Sequence, residues 1–302
     1  MLACALFAQE TPAFRGGVSL VHVDAEVTDG FRTLNGFHKE DFVVKDNGAP
    51  QSILYFSQDE EPLDLILLFD VSASMKSSVE RVAESAHTAL AELRSGDRVA
   101  VMVFSGRSRL VAPFNAHLDQ VENTVNDVVM SKFGGSTRLL AAVDDAAEYF
   151  LSQPGEHRRR AVLILTDNYG QRSRRASTVV HRLWEADASL SGLIIRSGAD
   201  VAINTTRMVM NPALGLLLSE GMGGVAEQTG GDTLKADQPG DAFREMMQRI
   251  RRRYSLYYAM PAGKPGQARQ VKVELTVEAR GRAPNARVRA RKGYVTPIEP
   301  KR

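Results

Sequence analysis

Three patterns of apolar and polar positions follow one another along the chain. From Val18 to Phe56 the pattern alternates, with Val18, Leu20, Val21, Val23 and Val27 running up to Asp29-Gly30. Phe42-Val43-Val44 then leads into Asp46-Asn47-Gly48, and Ile53-Leu54-Tyr55-Phe56 follows. Short runs separated by Asp-Gly and Asn-Gly turns predict antiparallel hairpins. From Glu61 to Arg252 the period changes. Leu63 to Phe69 is almost continuously apolar, as a strand covered on both faces is. Val99–Phe104 and Ala161–Thr166 repeat that pattern, and Leu193–Ile195 and Thr233-Leu234 are shorter versions, the last after Gly230-Gly231. Helical spacing marks Val79–Leu93, Leu118–Val129, Leu139–Leu151, Thr178–Ala188 and Asp241–Arg252. Leu110–Phe114 follows Phe104 after too few residues for a parallel crossover, so these two strands form a hairpin. The expected fold is therefore α/β, a doubly wound, mostly parallel sheet with one antiparallel strand.

Beyond Tyr254 the alternation returns. Ser255–Met260, Gln270–Val277 and Val288–Val295 read as strands with Pro- and Gly-rich turns between them. Neither outer segment has enough strands for a stable sheet alone, so the two are expected to pair into one small β module. The domain reading is 1–17 as an N-terminal leader remnant or frayed end, 18–60 as a β segment, 61–252 as the α/β domain, and 253–302 as a β segment pairing with 18–60.

Composition narrows the function without naming it. Of 302 residues, 43% are hydrophobic and 25% charged, ordinary values for a globular protein, and no segment approaches the length of a transmembrane span. A net charge of +2 gives no argument for a nucleic-acid partner. The single cysteine, Cys4, excludes an internal disulfide and a Cys-rich zinc site. Met1–Ala8 is apolar and Gln9–Gly17 polar and small, like the tail of a secretory signal peptide without its basic start. That pattern points to a secreted, periplasmic or cell-envelope location.

The candidate chemistry lies at strand ends. Leu63–Phe69 runs directly into Asp70-Val71-Ser72-Ala73-Ser74, three short oxygen-bearing side chains at alternate positions. Ligands of open α/β sheets bind beyond the carboxyl ends of their strands. Two further loops, Gly134-Gly135-Ser136-Thr137 and Thr166-Asp167-Asn168, add Thr137 and Asp167 at the same edge. Such oxygens suit a hard divalent cation. The same residues also suit helix N-caps (Asp70, Ser72, Thr137) and a turn (Asp167). There is no HExxH, G-x-S-x-G or Walker lysine, and the six histidines are scattered without ligand spacing.

The segments DVSAS, GGST and LTDN resemble the three parts of the metal-ion-dependent adhesion site of von Willebrand factor A domains. SGDRVAVMVF and VAEQTGG extend the resemblance through the middle of the chain. VDAEVTDG, GFHKEDFVVKDNGAPQSILYF, IRRRYSLYYAM and VRARKGY are similar to the ends of the bacterial "VWFA-related" family, usually exported and without a well-defined activity. The resemblance implies a Rossmann-like fold and a cation, Mg2+ or else Mn2+ or Ca2+. Ser72, Ser74 and Thr137 would bind it directly, and Asp70 and Asp167 largely through water. Asn168 departs from the family, many members of which have glycine there.

These readings favour binding over catalysis. Hydroxyl-rich coordination leaves a cation under-neutralised, so it takes an anionic oxygen from outside, such as an acidic side chain of a protein or peptide partner. The alternatives are a scaffold or chaperone-like component of an envelope assembly and, less favoured, a metal-assisted hydrolase. Arg172, Arg174 and Arg175 follow Asp167 and are expected either to rim the site or to be a solvated loop. His157–Arg160, Arg249–Arg253 and the alternating Arg287, Arg289 and Arg291 are expected to be solvated faces.

Overall fold

The computed structural model describes residues 19–30, 32–153, 158–168, 174–195 and 222–298. Arg172 and the expected leader at 1–17 lie outside them. The chain opens with β1 (Leu20–Asp29), β2 (Arg32–Thr33), β3 (Phe42–Asp46), β4 (Ala49–Gln51) and β5 (Ile53–Gln58). The middle contains β6 (Leu63–Asp70), α1 (Lys76–Glu84), α2 (Ala86–Leu90), β7 (Arg98–Phe104), β8 (Ser108–Asn115) and α3 (Leu118–Val128). It continues with α4 (Leu139–Leu151), β9 (Arg159–Thr166), α5 (Ala176–Glu185) and β10 (Ala188–Ile195). Then come α6, described over 222–229, β11 (Thr233–Ala236) and α7 (Pro239–Arg251). The last elements are β12 (Tyr254–Ala259), β13 (Ala268–Leu275), α8 (Val277–Arg282), β14 (Arg287–Ala290) and β15 (Gly293–Val295).

The middle strands form one six-stranded sheet in the order β11-β10-β9-β6-β7-β8. All neighbours are parallel except β7 and β8, whose hairpin places an antiparallel strand at the edge. Successive side chains of a strand face opposite ways, and β6 shows the result. Leu65, Leu67 and Phe69 pack with α1, α2, α3 and α7, whereas Ile66 and Leu68 pack with α4, α5 and α6. Every residue of β6 is buried, which is why its sequence reads as a continuous apolar run.

Two antiparallel sheets, β14-β1-β12-β5 and β15-β13-β3-β4, enclose a third core that includes Val23, Val27, Phe42, Tyr254, Tyr258, Val273 and Tyr294. Both join the two ends of the chain: β1 pairs with β12 and β14, and β3 pairs with β13. Buried polar atoms in this core are bonded. Asp46 Oδ2 accepts from the Tyr258 and Tyr294 hydroxyls at 2.8 and 2.9 Å, and Asp46 Oδ1 accepts from Arg269 Nε at 2.8 Å.

Several expectations are corrected. The helix read at Val79–Leu93 is two helices, broken at Ser85, whose hydroxyl donates to Arg81 O at 3.3 Å and so competes for a helical acceptor. Val277 opens α8, capped by the Thr276 side chain, and does not end a strand. The strand read at Val288–Val295 is two strands, β14 and β15, in different sheets.

The arginine runs are solvated only in part: Arg252 and Arg287 are exposed, but others are buried and paired. Arg159 is 1% exposed; its Nε donates to Asp24 Oδ1 at 2.9 Å and its other nitrogens to the carbonyls of Ile250 and Arg251. Arg249, Arg251 and Arg253 are buried against Asp232, Asp97 and Glu26 respectively. Arg291 is buried and pairs with Asp187, while Arg289 reaches Asp232 at 2.8 Å. A guanidinium on a long apolar stem can be buried wherever carboxylates and carbonyls meet its planar fork. Arg159, Arg253, Arg289 and Arg291 fasten the outer sheets to the α/β body, whereas Arg249 and Arg251 pair within it.

Candidate functional site

The carboxyl end of β6 stops at Asp70, which is fully buried. Its Oδ1 accepts from the Ser72 backbone N at 2.9 Å, and its Oδ2 accepts from the Thr166 hydroxyl at 2.7 Å. The chain then makes a single tight turn, Ala73–Met75, anchored by the buried Met75 side chain and closed by Met75 N donating to Ser72 O at 3.0 Å. The turn leaves the Ser72 and Ser74 hydroxyls 3.3 Å apart. Ser74 Oγ donates to Asp167 Oδ2 at 2.5 Å, from a strand end well separated in sequence. Asp70, Ser72, Ser74 and Asp167 thus belong to one network of short contacts at neighbouring strand ends.

Neither serine serves as a helix cap: Ser72 precedes the turn without a side-chain capping bond, and α1 begins after Met75. Thr137 is buried at 9% exposure on the loop before α4, whose N-cap is Arg138. That loop is fixed by Gly134 N donating to Val71 O at 2.9 Å and Arg138 N to Ser105 O at 3.1 Å. Among the described residues, the Thr137 hydroxyl makes no hydrogen bond to the other four. Asn168 has a left-handed backbone, φ +63°, and its N–H donates to Thr166 Oγ1 at 3.0 Å. Glycine and asparagine are the residues that reach that region most readily, so asparagine keeps the turn that a glycine would make. The sequence reading named Thr166 in its loop but gave it no role in the site. Its position directly before Asp167 at a strand end was the available signal.

The residues matching this arrangement fall inside a recognisable stretch. Residues 65–171 match the family described as von Willebrand factor type A domain. Over that stretch, and as far as it reaches, the chain is similar to a von Willebrand factor A domain. Among solved structures, the chain is similar to an aerotolerance-related membrane protein from Bacteroides fragilis. That likeness has 15% identity and a TM-score of 0.46, covering 62% of this chain and 98% of the other. It is similar to BatB from Bacteroides thetaiotaomicron at 16% identity and TM-score 0.45, over 62% and 97% of the two chains. A von Willebrand factor type A protein from Catenulispora acidiphila matches over 96% and 77%, with 13% identity and a TM-score of 0.48. No curated protein matches the chain.

The oxygens of this cluster are of the kind that suits a hard cation. Burial pushes the Asp70 carboxyl up to about 6, against the hydrogen bonds from Thr166 and Ser72, and the Asp167 carboxylate adds to the rise. A buried acid beside a second carboxylate and two hydroxyls is an environment a divalent cation would relieve. Among the described residues, no group of three or more His, Cys, Asp or Glu is placed to hold a metal, so hydroxyls must supply much of any coordination. No helix among them is long and apolar enough to cross a membrane.

Of the three arginines expected at the rim, Arg174 pairs with the buried Asp144 at 3.1 Å. Arg175 is exposed at the N-cap of α5.

Proposed function

We propose that this von Willebrand factor A domain binds a protein or peptide ligand outside the cytoplasm. A divalent cation, magnesium or else manganese or calcium, would be held by Asp70, Ser72, Ser74, Thr137 and Asp167. The observation that carries the reading is the contact network from Thr166 through Asp70, Ser72 and Ser74 to Asp167. It holds neutral hydroxyls and carboxylates together at one strand edge. The bound cation would supply Lewis acidity and an open position for an anionic oxygen. Serine and threonine hydroxyls add no charge, so much of the cation's charge remains to attract a carboxylate from the partner. Asp70 holds the turn through the Ser72 amide and thereby orients both serines. The compartment follows from the resemblance of the outer segments to exported proteins.

Asp70→Asn tests the assignment. Asparagine keeps the side chain's shape and an acceptor for the Ser72 amide, but removes the charge. In magnesium and manganese titrations by calorimetry the wild type is expected to bind and the variant to bind at least about tenfold more weakly, with folding checked by circular dichroism. Equal affinity in a folded variant would remove the metal site. A pull-down from envelope extract in magnesium, repeated in EDTA, then asks whether the partner depends on the cation.

A further inference from the structure

A cleft of about 500 Å³ opens beside the serine–aspartate cluster, lined by Ser105, Gly106, Arg107, Ser108, Arg138, Ala141, Asp145 and Arg174. Its walls come from the loop after β7, the start of α4 and the residues before α5. Arg138 directly follows Thr137, so the cleft begins one Cα–Cα step, about 3.8 Å, from that candidate ligand. The two features share a wall. Gly134 N is bonded to Val71 O on the cluster side, and Arg138 N to Ser105 O on the cleft side.

The charge of the lining is one-sided. Arg107 and Arg138 are exposed, and among the described residues neither has an ion-pair partner. Arg174 leans on Asp144, which also receives Arg182 at 3.2 Å, so that carboxylate is shared between two guanidinium groups. Among the described lining residues, Asp145 is the single acid. Arg138, Ala141 and Asp145 lie on one face of α4, at helical spacing. The helix starts at this wall without a side-chain cap, and so adds the positive end of its dipole. Buried arginines elsewhere in this chain are matched to carboxylates, whereas Arg107 and Arg138 are presented to a cavity.

We infer that the cleft is a second anchoring subsite for an acidic peptide, in which Arg107 and Arg138 take a carboxylate neighbouring the one at the cation. The inference rests on the metal-dependent reading for its choice of ligand. The cleft itself is independent of any metal. Two carboxylates a few residues apart on one extended segment would engage both places at once. That gives the ligand a direction, which a single cation cannot.

The test uses the whole chain and a fluorescent hexaglutamate peptide, titrated in magnesium and again in EDTA at low salt. Wild-type protein is expected to bind in both conditions, more tightly with magnesium. Arg107→Gln/Arg138→Gln should lose the EDTA binding and weaken the magnesium binding about tenfold, while magnesium affinity by calorimetry stays unchanged. Asp145→Asn should tighten binding severalfold, an opposite change that a damaged fold cannot produce. Identical affinities for wild type and the double variant would overturn the inference. So would a wild type that ignores the peptide in EDTA, or a weaker Asp145→Asn. If binding depends on the arginines but not on magnesium, the cleft stands and the metal-dependent reading fails.

Discussion

His22 stands between two carboxylates, with Nε2 3.2 Å from Asp24 Oδ1 and Nδ1 3.4 Å from Asp187 Oδ2, its ring stacked on Tyr257 at 4.8 Å. Burial alone would lower its pKa, but the Asp24 and Asp187 charges outweigh that and push it up to about 10. Asp24 and Asp187 move the other way: burial opposes their ionisation, but Arg159 acting on Asp24 and Arg291 acting on Asp187 hold both low. A raised histidine stabilises fully below its unfolded value of 6.5, and that contribution is lost as pH rises through about 10. The depressed aspartates stabilise above the ordinary carboxylate range and lose their contribution on acidification. Urea denaturation at pH 6 and pH 10 should therefore show wild-type stability falling towards pH 10. His22→Gln should show a clearly smaller fall. Parallel losses in both proteins would mean that His22 is neutral in the folded chain. At this scale the sequence was a partial guide. Asp70, Ser72, Ser74 and Asp167 were legible because strand ends in α/β sheets gather polar loops at one edge. Thr166 and Arg138 were not, because their roles depend on which loop touches which.

Gly230 and Gly231 show the same division between local and tertiary information at the scale of elements. The pair read as a turn, and it does lead into β11. The closeness of the approach could not be read. A Cβ on Gly231 would lie 1.7 Å from Leu190 O, and one on Gly230, at φ +82°, 2.4 Å from Arg291 N. Here the turn between α6 and β11 is wedged against β10 and the end of β14. Gly231→Ala should therefore cost at least about 1–3 kcal/mol, the usual range for overpacking, measured as a shift in urea midpoint. An unchanged midpoint would show that β10 can move aside. Leu139–Leu151 was readable to the residue because its apolar spacing belongs to one helix on one face of the sheet. The α1–α2 break and the β14–β15 division were hidden, since a single serine's competing bond and a change of sheet leave the apolar pattern unaltered.

On the scale of the molecule, the buried arginines are the least legible feature and the most consequential. Charge runs in sequence read as surface, yet Arg159 holds Asp24 of β1 to the carbonyl end of α7 across the boundary between outer sheet and α/β body. Arg159→Ala leaves Asp24 buried beside His22 without its principal cation, and loss of one partner from a buried pair costs about 3–5 kcal/mol. The double variant with Asp24→Ala should cost less than the sum of the two singles, because the two side chains act as one unit. Strict additivity in chemical denaturation would deny their coupling. The pairing of β1 with β12 also has a consequence in time. Asp24 and Ser255, bonded at 3.2 Å, are 231 residues apart, and synthesis adds about 5–20 residues per second. Roughly 10–50 s therefore separate the synthesis of β1 from that of its partner at that rate. Throughout that interval its apolar positions Val21, Val23, Ala25 and Val27 lie on an unpaired strand, open to the wrong neighbour. Of the described strands, the first in the chain is among the last to be secured.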